Sequence, residues 1–203
     1  MKIVVIIPSR YQSTRFEGKA LALISGKPMV QWVYERSVQA DRVDDVAVAT
    51  DDQRIADAVE TFGGKAIMTS NDNRSGTDRV GEAAAIMGLT PDDIIINVQG
   101  DQPLLDPRSL DQVVSPFFDE PGIEMSTLGF PIVNEREITD PKDIKVVFDQ
   151  NGFALYFFLN SFNIHGQVNF GRIIGGDHHP YRMTVLDRPK LFQFFNLFQF
   201  TYR

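Results

Sequence analysis

KIVVIIPSRYQSTRFEGKA, residues 2–20, begins with a run whose five apolar members, Ile3 to Ile7, are all β-branched, and it ends in a loop carrying three cations. The run does not alternate between apolar and polar residues, and Pro8 stops it. That is the pattern of a strand covered on both faces, as in a parallel sheet. The loop behind it holds Arg10, Arg15 and Lys19 within ten residues, together with Ser9, Ser13, Thr14 and Gly18. A charged loop directly after a doubly buried strand is a candidate anion site, because open α/β sheets bind ligands at the carboxyl ends of their strands.

The next 130 residues repeat the alternation. Pro28 suits a first helical turn, and Met29, Val30, Val33 and Tyr34 share one side of a predicted helix over 28–38. DDVAVAT (44–50) is a second strand. Asp51 or Asp52 then caps a helix bearing Ile55, Ala56, Val59 and Phe62 on one face, closed by Gly63-Gly64. KAIM (65–68) is a short third strand, and Thr77 is expected to cap a helix running to Met87. DIIINV (93–98) is the most apolar strand and is expected at the sheet centre. Pro107 opens a helix before two later strands, 125–132 and 144–149. Strand and helix alternating with short connections predicts an α/β fold, a mainly parallel sheet flanked by helices.

Composition sets the outer bounds. The chain has 203 residues, 43% hydrophobic and 23% charged, enough for one domain with a substantial core. Zero Cys excludes disulfides, thiol nucleophiles and thiolate metal sites, and points to a reducing, cytoplasmic setting. No apolar run approaches a membrane span, and the N-terminal run is too short and too strand-like for a secretory leader. A net charge of −7 argues against general nucleic-acid binding, which needs a broad basic face. The charge is uneven. Residues 1–152 carry 25 of 27 acids and 15 of 20 bases; residues 153–203 carry two acids, five bases, all three His and 13 of 22 aromatics. The chain is accordingly divided into an α/β domain, 1–152, and an atypical aromatic-rich tail, 153–203.

Two further loops follow predicted strands. In NVQGDQP (97–103), Asp101 stands beside Gly100 at the end of an apolar strand, a position suited to a Mg²⁺ ligand, and Gln99 could offer its amide to a substrate. In SNDNRSGTDRV (70–80), Ser75-Gly76-Thr77 turns into a helix whose first amides can receive an anion or a base carbonyl, and Arg79 could clamp a carboxylate. The plain alternatives are a solvated loop, a turn opened by Asp101 and an ordinary helix cap. The first loop is not GxxxxGK[ST], and GxGxxG is absent, so the common NTPase and dinucleotide motifs do not apply.

Taken together, PSRYQSTRFEGKAL, VATDD, SGTDRV, NVQGDQP and IKVVFDQNGFALYF resemble the 3-deoxy-manno-octulosonate (Kdo) cytidylyltransferases, from residue 2 to about 157. The resemblance implies a Rossmann-like nucleotidyltransferase fold of the nucleotide-diphospho-sugar transferase type. It implies Mg²⁺-dependent conversion of CTP and Kdo to CMP-Kdo and pyrophosphate, for lipopolysaccharide biosynthesis, by a homodimer. Carried over by motif, Pro8, Ser9, Arg10, Ser13, Arg15 and Lys19 would bind the nucleotide. Arg10, Arg15, Lys19 and Asp101 would carry the chemistry. Ser75 and Gly76 would lie near the cytosine, Arg79 and Gln99 near the acidic sugar, and Asp101 on the metal. Related family members act on 8-amino-Kdo or sialic acid, and a CTP-binding protein without turnover is the non-enzyme alternative.

The tail departs from the family's pattern. After ALYF, the residues Phe158, Leu159 and Asn160 replace the family's Ser-Arg and proline-bearing loop, and HHPYRMTVL (178–186) only echoes its later strand. The family's second metal-binding Asp has no counterpart, since Asp177 and Asp187 fall outside its motif. A shortened or altered reading frame would produce the same abrupt change. The three His are too scattered to define a metal site. Leu191, Phe194, Phe195, Phe198 and Tyr202 are spaced for one helical stripe, expected to pack in the core or in a dimer seam.

Overall fold

β1 (Ile3–Ser9) is buried along its whole length, as its unbroken β-branched run requires. The structure is a computed structural model; it describes residues 1–12, 16–120, 122–132, 134, 136–137, 140, 143–149, 153–158, 183–186, 192–194 and 197–201. After β1 come a 3-10 turn (Lys19–Leu21), the two-residue hairpin strands β2 (Leu23–Ile24) and β3 (Lys27–Pro28), and α1 (Met29–Val38). β4 (Asp45–Thr50), α2 (Gln53–Thr61), β5 (Ala66–Met68), α3 (Gly76–Ile86), β6 (Ile94–Val98), α4 (Pro107–Val114) and α5 (Pro116–Asp119) follow. The remaining strands are β7 (Met125–Pro131), β8 (Lys145–Phe148), β9 (Ala154–Phe158), β10 (Met183–Leu186), β11 (Phe192–Phe194) and β12 (Leu197–Thr201).

The first sheet has the order β12-β6-β1-β4-β5, parallel except for β12, which runs antiparallel to β6. Alternate residues of β1 feed two cores. Ile3, Val5 and Ile7 pack in one cluster with Val30 and Val33 of α1, Ile55 and Val59 of α2, and Leu110 and Val113 of α4. Val4 and Ile6 pack in a second cluster with Val80, Ala83 and Ala84 of α3. Each buried Val or Ile stabilises the fold by roughly 1.5–3 kcal/mol. The most apolar strand, β6, is not central as expected. β1 occupies the centre, and β6 lies beside it, paired with β12 on its other edge and buried on both faces as Ile94, Ile96 and Val98 enter the first cluster and Ile95 the second.

Two carboxylates pin the start of β1. Asp93 accepts from the Lys2 amide at 2.7 Å and from the Thr90 amide at 2.9 Å. Asp44 accepts from the Ile3 amide at 2.7 Å. The Thr90 and Lys2 amides hold the Asp93 carboxyl below the usual carboxylate range. The strand is thereby fixed at its amino end, leaving the carboxyl end for ligand loops.

The second sheet has the order β10-β7-β11-β8-β9; β10 is parallel to β7, and the other pairs are antiparallel. The compositional break at residue 153 falls inside the β8–β9 hairpin. The expected helical stripe in the tail is corrected: 192–194 and 197–201 are strands. Phe-Gln-Phe recurs at 192–194 and 198–200, a period of two that outweighs the coincidental helical spacing in which Phe194 and Phe198 also take part. Leu191, Phe195, Tyr202, Asp177, Asp187 and the three His lie outside the described residues. Among the described residues, no helix is long and apolar enough to cross a membrane.

Candidate active site

Three loops meet over the carboxyl ends of β1 and β6 and the start of α3. They form a cleft of about 580 Å³ lined by Pro8, Ser9, Arg10, Gln12, Phe16, Lys19, Ala20, Gly76, Gln99, Gly100 and Asp101. That volume is within the range of small-molecule and cofactor sites. From the first loop, Gly18 takes a left-handed conformation with φ 67° and donates to the Tyr11 carbonyl at 2.8 Å. A Cβ there would lie 3.2 Å from the Tyr11 ring, so glycine alone makes this turn without strain. The turn brings Lys19 back across the strand ends, where its Nζ donates to Asp101 Oδ2 at 2.6 Å. Both side chains are partly open to solvent, at 40% and 49%.

Gly100 lets the third loop approach the first. A Cβ at this position would lie 2.8 Å from Ser9 Oγ and 3.3 Å from the Pro8 carbonyl. Ser9 Oγ is buried and has no hydrogen-bond partner among the described residues, which leaves a hydroxyl at the cleft wall. Gln99 lines the cleft and donates from Nε2 to Asn97 Oδ1 at 3.2 Å.

The second loop brings the amino end of α3. Ser75, not the expected Thr77, is the cap: its Oγ accepts from the Asp78 amide at 3.1 Å, and Asp78 Oδ2 accepts from the Ser75 amide at 2.9 Å. This reciprocal capping box starts the helix at Gly76 and places Gly76 on the cleft wall. Ser75 itself is spent on the cap and does not line the cleft. The amino terminus of α3 adds partial positive charge beside the cations.

Arg79 is brought elsewhere than a sugar clamp requires. It is fully buried, donates to Thr69 Oγ1 at 2.5 Å and forms a short ion pair with Asp51. It does not line the cleft, so its guanidinium ties α3 to the ends of β4 and β5. The DR spacing of SGTDRV showed a cation one turn into the helix, but a buried partner 28 residues away leaves no mark in local sequence. Ser13 and Arg15 lie outside the described residues. A second, polar hollow of about 390 Å³ adjoins the cleft through Arg10 and Gln12 and is bounded by Tyr11, Asp51, Asp52 and Asn71. There Arg54 lies over the Tyr11 ring and holds the Asp52 carboxyl below its ordinary range, mainly by direct hydrogen bonds.

A Mg²⁺ ion is compatible with this donor set. Among the described residues no three acids or His cluster, and Asp101 alone faces the cleft as a carboxylate. Mg²⁺ commonly takes only one or two protein carboxylates, the rest of its shell being phosphate and water. No described group donates to Asp101 Oδ1, so that oxygen can serve while Lys19 holds Oδ2.

A parallel sheet with a cationic, glycine-shaped cleft at its strand ends is the architecture of a nucleotidyltransferase, and the solved structures agree. A CMP:2-keto-3-deoxy-manno-octonic acid synthetase complexed with CTP superposes with a TM-score of 0.80 at 36% identity, covering 98% of this chain and 74% of that one. A cytidylyltransferase from Leptospira borgpetersenii gives a TM-score of 0.55 at 26% identity, covering 63% and 53%. The profile of the family described as Cytidylyltransferase matches residues 4–166, and the chain belongs to that family.

Among curated relatives, the 3-deoxy-manno-octulosonate cytidylyltransferase of Desulfatibacillum aliphaticivorans is 66% identical over 157 residues, 77% of this chain and 64% of the relative. The 8-amino-3,8-dideoxy-manno-octulosonate cytidylyltransferase of Shewanella frigidimarina is 58% identical over 173 residues, 85% and 68%. The chain thus spans a little under two thirds of the length of the first of these relatives.

Proposed function

We propose that the chain transfers a cytidylyl group from CTP to Kdo, giving CMP-Kdo and pyrophosphate. The observation that carries this reading is the meeting of Lys19 and Asp101, 82 residues apart, in one cleft with Arg10 and the first turn of α3. The 66% identity to a Kdo cytidylyltransferase supports Kdo as the acceptor. In this reading the anomeric hydroxyl oxygen of the sugar bonds to the α-phosphorus while the bond to the bridging oxygen of the β-phosphate breaks, releasing pyrophosphate. Such a displacement depends on positioning and charge neutralisation rather than on a protein nucleophile.

Arg10 and Lys19 neutralise and orient the triphosphate; Arg15 belongs to the same role by its place in the loop. Guanidinium groups grip two phosphate oxygens at once, whereas the ammonium acts as a point charge. Asp101 would hold Mg²⁺, which when bound supplies charge neutralisation at the phosphates. Gly76 and the α3 amino terminus face the base or a phosphate, and Gln99 faces the acceptor side. The same reading includes a cytoplasmic homodimer. Support for the dimer comes from the edge strand β9, where Leu155 and Tyr156 are 63% and 51% exposed.

Pyrophosphate release from CTP and Mg²⁺ tests the reading, with Kdo, 8-amino-Kdo, sialic acid or no sugar added. Release with Kdo above the other arms is expected. Preferential release with 8-amino-Kdo would transfer the assignment to that sugar, which the Shewanella relatives favour. No release with any acceptor would overturn the transferase reading.

A further inference from the structure

Arg10 does not stand free in the cleft. Its Nη2 donates to the main-chain carbonyl of Asn73 at 2.7 Å, and that bond sets the direction of the guanidinium fork. Asn73 lies in the loop between β5 and α3, and a carboxylate of α3 holds this loop from behind. Glu82 accepts from the Ser70 amide at 2.9 Å through Oε1 and at 3.0 Å through Oε2, and it takes a short hydrogen bond from Asn73 Nδ2. Asn73 Nδ2 also donates to the Ser70 carbonyl at 2.9 Å, closing the loop on itself. Glu82 does not line the cleft, so nothing in the functional reading above uses it.

We propose that Glu82 is a positioning residue for the nucleotide: through Asn73 it holds the carbonyl that aims Arg10 at the triphosphate. The inference rests on the CTP reading for the identity of the ligand only. Three links compose it, from Glu82 to the Asn73 side chain, across Asn73 to its own carbonyl, and from that carbonyl to Arg10. The Asn73 side chain and the Ser70 amide hold the Glu82 carboxyl below its usual range, so it stays an anion near neutral pH. An anionic acceptor makes stronger hydrogen bonds than a neutral one, which suits a group that must keep a loop still. A cation aimed in advance gives the ligand more than one that must be ordered on binding.

The test is CTP titration into the full chain with Mg²⁺, read by calorimetry for wild type, Glu82→Ala, Arg10→Ala and the double variant. Glu82→Ala is expected to weaken CTP binding about tenfold, and Glu82→Gln by less, since Gln keeps an acceptor for the Ser70 amide. In the Arg10→Ala background the Glu82 change should cost nothing further, because groups acting through one another are not additive. Losses that multiply, or unchanged binding in Glu82→Ala, would overturn the relay.

A crystal structure of Glu82→Ala is the second readout, in which Arg10 should leave the Asn73 carbonyl. Its retention there would also overturn the relay, whatever CTP does. Asn73→Ala provides the same two readouts without touching α3, should Glu82→Ala fail to fold. If the wild-type chain binds no CTP, the functional reading fails, and the crystal structure still decides the relay.

Discussion

In the first sheet β1, β4 and β5 lie side by side in parallel register, with α1 and α2 between them on one face and α3, after β5, on the other; in the second, β10, β7, β11, β8 and β9 interleave segments from distant parts of the chain. Both sheets have five strands, yet they are held differently. The first draws its stability from strand–helix packing around β1, whose Ile6 and Ile7 are wholly buried. The second reaches its edge at β9, where Leu155 and Tyr156 face solvent. Both sheets also close large loops: β7 pairs with β10 and β11 more than fifty residues further on, and in the first sheet Ile3 of β1 pairs with Ile94 of β6. The cleft is built from the first half of the chain, to which every described residue lining it belongs.

The contrast is sharpest in core truncations. Ile6→Ala should lower unfolding free energy by about 4 kcal/mol in a denaturant titration, while Leu155→Ala should change it by about 0.5 kcal/mol or less. Comparable losses would mean that Leu155 is packed against a partner rather than exposed at an open edge. Arg79→Ala comes next. It leaves Asp51 without its buried partner and should cost about 3 kcal/mol of stability. If Arg79 instead clamps the acidic sugar, the variant will keep its melting temperature and raise the sugar KM, which would break the division between cleft and frame.

The smallest effect is a pH dependence at the far end of β1. Asp93 has a folded pKa below its unfolded value, so its contribution is present above the unfolded value and is lost as pH falls through the folded one. Stability should decline on acidification below about pH 4 in wild type, and less steeply in Asp93→Asn. Parallel acid profiles for the two proteins would remove Asp93 from the clamp.

Much of the first sheet was legible because its signals are local. The β-branched run of β1, the Ile55–Ala56–Val59 face of α2 and Pro107 at the start of α4 each decide their element within a few residues. The cleft was legible in the same way, since strand ends mark where loops gather. What escaped depended on distance. Asp78 selects Ser75 over Thr77 as the cap of α3 through a reciprocal hydrogen-bond pair, and both hydroxyls precede the helix pattern plausibly. Arg79 points to Asp51 rather than to the cleft, and Glu82 reaches Ser70 and Asn73 across a turn that its helix position alone does not reveal. The tail aromatics satisfy a helical and a strand period at once, and the neighbouring strands β6 and β7 decide between them.

The antiparallel contact between β12 and β6 has a consequence for synthesis. Leu197–Thr201 covers the backbone of Ile94–Val98 along its full length, with Leu197 opposite Val98 and Thr201 opposite Ile94. On a growing chain, β6 emerges roughly 100 residues before its cover, a delay of about 5–20 s at ordinary translation rates. During that interval an Ile-rich edge stands open, the kind of surface that recruits chaperones or a second nascent chain. Slow decoding between the two strands would prolong this window, so codon choice across that stretch bears on the yield of folded protein.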